Sequence, residues 1–189
     1  MPALVLGGLC LLLAAFGEPA RALLRYEREA LAAGELWRAL TAHLVHLNLT
    51  HALLNVAGLV LVAWLFQHDL GVLDWAAGGF CAAIAISVGL WVLEPQTAWY
   101  VGLSGVLHGW FALGAARVCE IQRGLGSTLL LALGCKLLYE SLQGTIPFTT
   151  ALDIGPVVVA AHLFGAAGAL LCYVALRVRR LVGAVKPPL

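Results

Sequence analysis

Residues 94–109 read Glu94-Pro95-Gln96-Thr97-Ala98-Trp99-Tyr100-Val101-Gly102-Leu103-Ser104-Gly105-Val106-Leu107-His108-Gly109. The apolar run before them, 74–93, ends at the polar Glu94–Thr97 segment. The run that follows, 104–118, is bounded by Arg117 and Arg123. A bilayer core is ~30 Å thick and takes ~20 helical residues to cross, so this run is too short to span from Ser104. The chain after Thr97 therefore has to re-enter the membrane to reach Ser104. Irregular backbone at that depth is tolerated only where protein or a water-filled cavity receives it. The stretch thus predicts a wet cavity open to the outer side, with Ser104 at its floor and at a helix N-terminus.

The remainder of the chain fits an all-α polytopic membrane protein. It is 62% hydrophobic and 11% charged over 189 residues, whereas soluble domains are roughly half apolar and about a quarter charged. Six apolar stretches, about 2–17, 50–67, 74–93, 104–118, 125–140 and 155–176, read as six transmembrane helices of a single domain, 1–189. The first is kept as a span, because it lacks a basic leader and Pro19-Ala20-Arg21-Ala22 is a poor signal-peptidase site. Residues 18–49 form the longest polar stretch, with Glu18, Arg21, Arg25, Glu27, Arg28, Glu29, Glu35 and Arg38 summing to zero charge. The apolar residues between these charges predict an amphipathic interfacial loop among membrane lipids.

Charge placement gives an orientation. Arg117, Arg123, Arg177, Arg179, Arg180 and Lys186 fall on one side of a six-span chain, which assigns both termini to the cytoplasm. The net charge of +1 suggests no nucleic-acid partner. Cys10, Cys81, Cys119, Cys135 and Cys172 form no CxxC pair and lie in or beside apolar runs, so neither a disulfide framework nor a zinc knuckle is expected.

Ionisable groups at membrane depth are costly and mark candidate sites. From Ser104 to Arg117 is 13 residues, from His162 to Arg177 is 15, and from Asn55 to His68 is 13. At 1.5 Å per residue these are ~20, ~22 and ~20 Å, so three polar groups from three helices reach one level. Small residues recur at Gly105, Gly109, Ala112 and Ala116, and with the same spacing at Ala161, Gly165, Gly168 and Cys172. If these two faces pack together, Ser104 and His162 meet at their outer ends.

A serine hydroxyl needs a base to take its proton, and His162 can supply one. No acid is evidently placed to orient that imidazole: Asp153 falls in the outer loop, and Glu140 lies near the end of span five. A Ser104/His162 dyad is therefore expected. His51 and Asn55, at i and i+4 on one face of span two, are candidate oxyanion donors with the Ser104 backbone N–H. The set fits acyl transfer, with no cofactor and no metal site.

These residues resemble the rhomboid family of intramembrane proteases over most of the chain. The resemblance lies in Glu35-Leu36-Trp37-Arg38, in His46-x4-His51-x3-Asn55, in Gly102-x-Ser104-Gly105 and in Ala161-His162-x2-Gly165. It implies a six-helix core, a Ser104/His162 dyad, oxyanion support from His51 and Asn55, and a membrane-embedded first loop. His46 resembles the family's other span-two histidine. Rhomboids commonly carry tyrosine four residues after the serine, stacked on the catalytic histidine. Here His108 stands there, able to stack on or bond His162. That departure, in so compact a chain, resembles the rhombosortase branch. The branch implies a Gram-negative inner membrane, a site open to the periplasm, and transmembrane substrates ending in a Gly-Gly motif, a helix and a basic tail. Two alternatives are an inactive relative that binds membrane helices, and a transporter using His43, His46, His51, His68, His108 and His162. Intact Ser104 and His162 weigh against the first, and the scarcity of carboxylates within the spans weighs against the second.

Overall fold

A computed structural model describes residues 2–145, 152 and 155–184. Helix α1 (Pro2–Phe16) ends at Gly17, whose φ of 62° turns the chain through 115° into α2 (Glu18–Leu24). Strand β1 (Tyr26–Glu27) and the short helices α3 (Arg28–Ala32) and α4 (Arg38–Thr41) complete the first loop. Then follow α5 (Leu49–Leu65), α6 (Val72–Leu93), β2 (Trp99–Tyr100), α7 (Ser104–Ile121), α8 (Arg123–Gln143) and α9 (Ala160–Ala184). The chain is mostly helical, as expected, but β1 and β2 pair antiparallel, Tyr26 with Tyr100 and Glu27 with Trp99.

Each of the six predicted spans corresponds to a helix, with shifted ends. α5 begins at Leu49 because the Asn48 side chain accepts from the His51 N–H, 2.8 Å away, and caps the first turn. α9 begins at Ala160 rather than 155, after an irregular run that contains Gly155 at φ 82° and Pro156. Among the described residues, Val72–Leu93, Arg123–Gln143 and Ala160–Arg179 are long and apolar enough to cross a membrane, and α1 with α2 qualifies only as a bent pair. α5 has 17 residues and α7 has 18, so they reach ~26 and ~27 Å, short of a ~30 Å core.

Helices α6, α7 and α9 form the centre, and they approach closely because glycines line their contacts. A methyl group on Gly105 would stand 2.7 Å from the Ala161 carbonyl oxygen, and one on Gly109 would stand 2.8 Å from that of Gly165. One on Gly165 would collide with the Gly105 carbonyl. The predicted pairing of small-residue faces is thus present in the half nearer Ser104 and departs from expectation beyond it. Gly168 faces Cys81 and Ala85 of α6, and Ala169 is the small residue that meets Gly109. On the other side of α6, Gly79 receives the Trp110 indole, whose Nε1–H donates to the Trp75 carbonyl at 2.8 Å.

At the end of the bundle away from Ser104, Asp74 closes a buried ion pair with Arg117 at 2.6 Å and accepts from the Gly71 N–H that starts α6. The first loop is fixed to the opposite end. Arg28 donates to the carbonyls of Leu90, Trp91 and Glu94, which would otherwise be orphaned where α6 stops. Ser87 Oγ donates to the Ala39 carbonyl at 2.7 Å, and Arg38, buried, donates to Glu35 and to the Ala22 and Arg25 carbonyls. Arg25 holds the Glu27 carboxyl below the usual carboxylate range through a side-chain hydrogen bond, on the same network.

The helix contact predicts a contrast between two glycines. Gly165→Ala should destabilise the fold by about 1–3 kcal/mol, the usual cost of forcing a methyl into a packed interface. Gly134→Ala, where open space surrounds the position, should leave stability unchanged or slightly raised. Thermal unfolding of both variants in the same detergent measures the difference.

Candidate active site

Ser104 reaches its position through an irregular segment satisfied from the first loop. β2 takes backbone partners from β1, the Gly102 N–H donates to the Ala42 carbonyl at 3.0 Å, and Tyr100 Oη donates to the Gly102 carbonyl at 2.8 Å. Gly102 adopts φ 121°, a conformation costly to any side chain. A Cβ there would also stand 3.0 Å from Cε1 of His51. The glycine of the Gly102-x-Ser104-Gly105 motif therefore lets the chain turn and leaves room for the His51 ring. Gly105 lets α9 approach on the other side.

Ser104 opens α7, so its backbone N–H has no partner within the helix. Its hydroxyl donates to His162 Nε2 at 2.9 Å. The His108 ring stacks on His162, with centroids 4.1 Å apart and planes 14° from parallel. His108 Nδ1–H donates to the Ser104 carbonyl at 2.7 Å. Ser104 and His51 both line a cavity of about 330 Å³ whose rim is formed by Thr97–Val101 and Pro156–Val158.

Other predicted residues take less direct positions. His46 is buried edge-on against His51, with ring centroids 5.0 Å apart. Asn55 is buried one turn beyond His51, and its Nδ2 donates to the His51 carbonyl at 2.9 Å. That amide is committed in part to its own helix, where it holds the His51 carbonyl. His43 donates to the Ala83 carbonyl, and His68 is exposed. The six histidines therefore do not line one path. Asp153 lies outside the described residues.

The expectation that no carboxylate orients the imidazole is corrected by α8. Glu140 Oε2 accepts from His162 Nδ1–H at 2.9 Å, and both residues are 5% exposed. Lys136, one turn earlier, reaches the same oxygen at 2.7 Å. Depth arithmetic extended to span five would have found this carboxylate. Glu140 is 17 residues from Arg123, or ~26 Å along the helix, close to the level of His162. Ligand atoms of His108, Glu140 and His162 fall within 4.8 Å of one another. Stacked imidazoles hold their in-plane lone pairs in parallel sheets, however, so these two rings do not converge on one ion.

Comparison with known proteins follows the same residues. The chain is 33% identical over 84 residues to YdcA of Bacillus subtilis (strain 168), a protein named for the rhomboid proteases, and this match covers 42% of the chain and 40% of that relative. The chain thus spans well under two thirds of that protein's length in the match. Residues 33–179 match the Rhomboid domain, taking in the first loop from Ala33, Ser104 and its cavity, and α9 with His162. The chain belongs to the rhomboid family, whose members are integral membrane proteins.

Proposed function

We propose that this protein is an intramembrane serine endopeptidase that cuts membrane-anchored proteins near a transmembrane segment. The observation that carries the reading is the 2.9 Å contact from Ser104 Oγ to His162 Nε2 at the floor of a cavity. In this mechanism the Ser104 proton passes to Nε2 as Oγ attacks the scissile carbonyl carbon. The same proton then goes to the leaving amine nitrogen as the C–N bond breaks. The oxyanion that forms lies beside the Ser104 backbone N–H, with the His51 ring across the cavity as a second donor and Asn55 holding the backbone behind that ring. Water can reach the acyl-enzyme through the opening between 97–101 and 156–158.

Substrate class follows from the walls. An apolar groove of about 440 Å³ runs between α5 and α8, lined by Gly58, Leu61, Leu107 and Leu133 and ending at His108 and Lys136. A transmembrane helix offers matching chemistry, with its unwound end extending toward Ser104. The finer reading is a rhombosortase-like enzyme acting on C-terminal Gly-Gly signals followed by a helix and a basic tail. It is supported by His108 occupying the place of the family's tyrosine and stacking on His162. With it goes a single domain of six crossings in a Gram-negative inner membrane, both termini cytoplasmic and the cavity periplasmic. The basic residues gathered at the end of the bundle away from Ser104 support that orientation.

Three outcomes are expected in proteoliposomes carrying a membrane-anchored reporter with a Gly-Gly signal. Ser104→Ala and His162→Ala each abolish cleavage with unchanged thermal unfolding, and cleavage surviving in either overturns the reading. Mass spectrometry of the new C-terminus tests the Gly-Gly preference separately. His51→Ala lowers kcat by ~10²-fold with little change in KM, the scale of a lost oxyanion donor, whereas Asn55→Ala has a smaller effect. His108→Tyr retains activity because a ring still stacks on His162, while His108→Ala lowers it. A dead but folded Tyr variant would show that the imidazole performs a chemical step.

A further inference from the structure

We propose that Glu140, held by Lys136, is a positioning residue that fixes the tautomer of His162, making the site a carboxylate–imidazole–serine chain instead of a dyad. This rests on the protease reading above.

A neutral imidazole carries one proton on either nitrogen, and only one form is useful here. His162 must keep its proton on Nδ1 to present a lone pair at Nε2 to the Ser104 hydroxyl. Glu140 Oε2, 2.9 Å from Nδ1, accepts that proton's hydrogen bond and excludes the other tautomer, in which Nδ1 would offer a lone pair to a carboxylate. When Nε2 takes the serine proton, the imidazolium positive charge forms against the carboxylate. Glu140 gains no proton in the step, and the charge is returned when Nε2–H is given to the leaving amine.

Lys136 answers the cost of placing that carboxylate in a bundle core. A buried charge without a partner is strongly unfavourable, and Glu140 at 5% exposure has Lys136 Nζ 2.7 Å from the same oxygen that serves His162. Lys136 itself is 32% exposed and opens toward the groove between α5 and α8. Its four-carbon stem can follow the apolar wall while the ammonium meets the carboxylate. A contact from Glu140 to His162 that served only to join α8 to α9 would need neither Lys136 on the same carboxylate oxygen nor the depth of Ser104.

The groups that face the His162 ring come from several helices. α7 contributes Ser104 and His108, α8 contributes Glu140 and Lys136, and α5 contributes His51. At this level α6 presents the apolar Ile86. Glu140 is the single negative group in that described set and Lys136 the single positive one, so removing them has opposite effects on the pH dependence.

The test compares Glu140→Gln, Glu140→Asp, Lys136→Met and the Lys136→Met/Glu140→Gln double variant in proteoliposomes, with thermal unfolding in parallel. Glu140→Gln should lower kcat by ~10²-fold or more, toward the ~10⁴ seen when an orienting carboxylate becomes an amide, with KM little changed. The acid limb of its kcat/KM profile should move to lower pH, because an imidazolium without its carboxylate is harder to form. Lys136→Met should lose less activity and move that limb to higher pH. Glu140→Asp should recover part of the rate, and the double variant should remain slow although no unpaired charge is left. Wild-type kcat in Glu140→Gln, an unmoved acid limb in Lys136→Met, or recovery in the double variant overturns the proposal. A Glu140→Gln protein that does not fold leaves the Lys136→Met profile and the double variant to decide. If Ser104→Ala is inactive while Glu140→Gln cleaves as wild type, this inference alone falls. If Ser104→Ala still cleaves, the protease reading falls and this inference with it.

Discussion

The backbone approach of α7 to α9 at Gly105, Gly109, Ala161 and Gly165 is the constraint on which the other features depend. Ser104 precedes Gly105 and His162 follows Ala161, so the interface that removes side chains from between two helices also sets the distance between hydroxyl and imidazole. In a lipid environment apolar surface gives helices little reason to associate, and close van der Waals packing of small residues supplies much of the attraction. Site geometry and fold stability thus rest on one set of contacts. A change that loosens the bundle at this point also changes the chemistry.

Charges within the helices follow one rule at both levels of the bundle. Asp74 with Arg117 at one end, and Glu140 with Lys136 and His162 at the other, are each closed within 3 Å. At the Asp74 end the carboxylate also caps the start of α6, and the neighbouring Glu120 meets Arg117 and Tyr173. At the Glu140 end the carboxylate faces a ring that can change charge. The same device, a buried carboxylate with a cation beside it, therefore serves packing in one place and faces a titratable base in the other.

Much of this arrangement was legible in the residues before any coordinate. Ser104, His162 and Asn55 share a depth that follows from counting along their helices to Arg117, Arg177 and His68, and the early re-entry after Thr97 follows from the shortness of the run behind it. Glu140 was not recognised because it ends an apolar run, and a carboxylate at a helix end ordinarily belongs to the interface. Counting from Arg123 puts it near the level of His162, and the packing of α8 brings its carboxylate against Nδ1 of that ring. The pairing of β1 with β2 left no trace because two-residue strands have no period to detect. The stripe on α9 was read as one contact face, yet Gly168 turns to α6 while Ala169 meets Gly109, a division between two neighbouring helices that spacing alone does not record. Asn55 sits where the periodicity places it, yet its amide bonds its own helix, a choice that spacing does not record.

The strand pairing has a mechanical consequence. Tyr26 and Tyr100 are buried partners, and Gly102 hangs from the Ala42 carbonyl. The first loop and the segment that carries Ser104 are therefore one rigid bracket, bolted to the end of α6 by Arg28. Leu36 and Trp37 are exposed on that bracket, and in the proposed membrane placement they are the part that would meet the lipid interface, where an indole prefers the headgroup level. A bilayer that is thinner or thicker than the protein's apolar belt has to tilt or load the bracket as a whole. In that placement the immersion depth of Ser104 is slaved to the seat of the loop among the headgroups, and membrane thickness becomes a mechanical input to the proposed nucleophile.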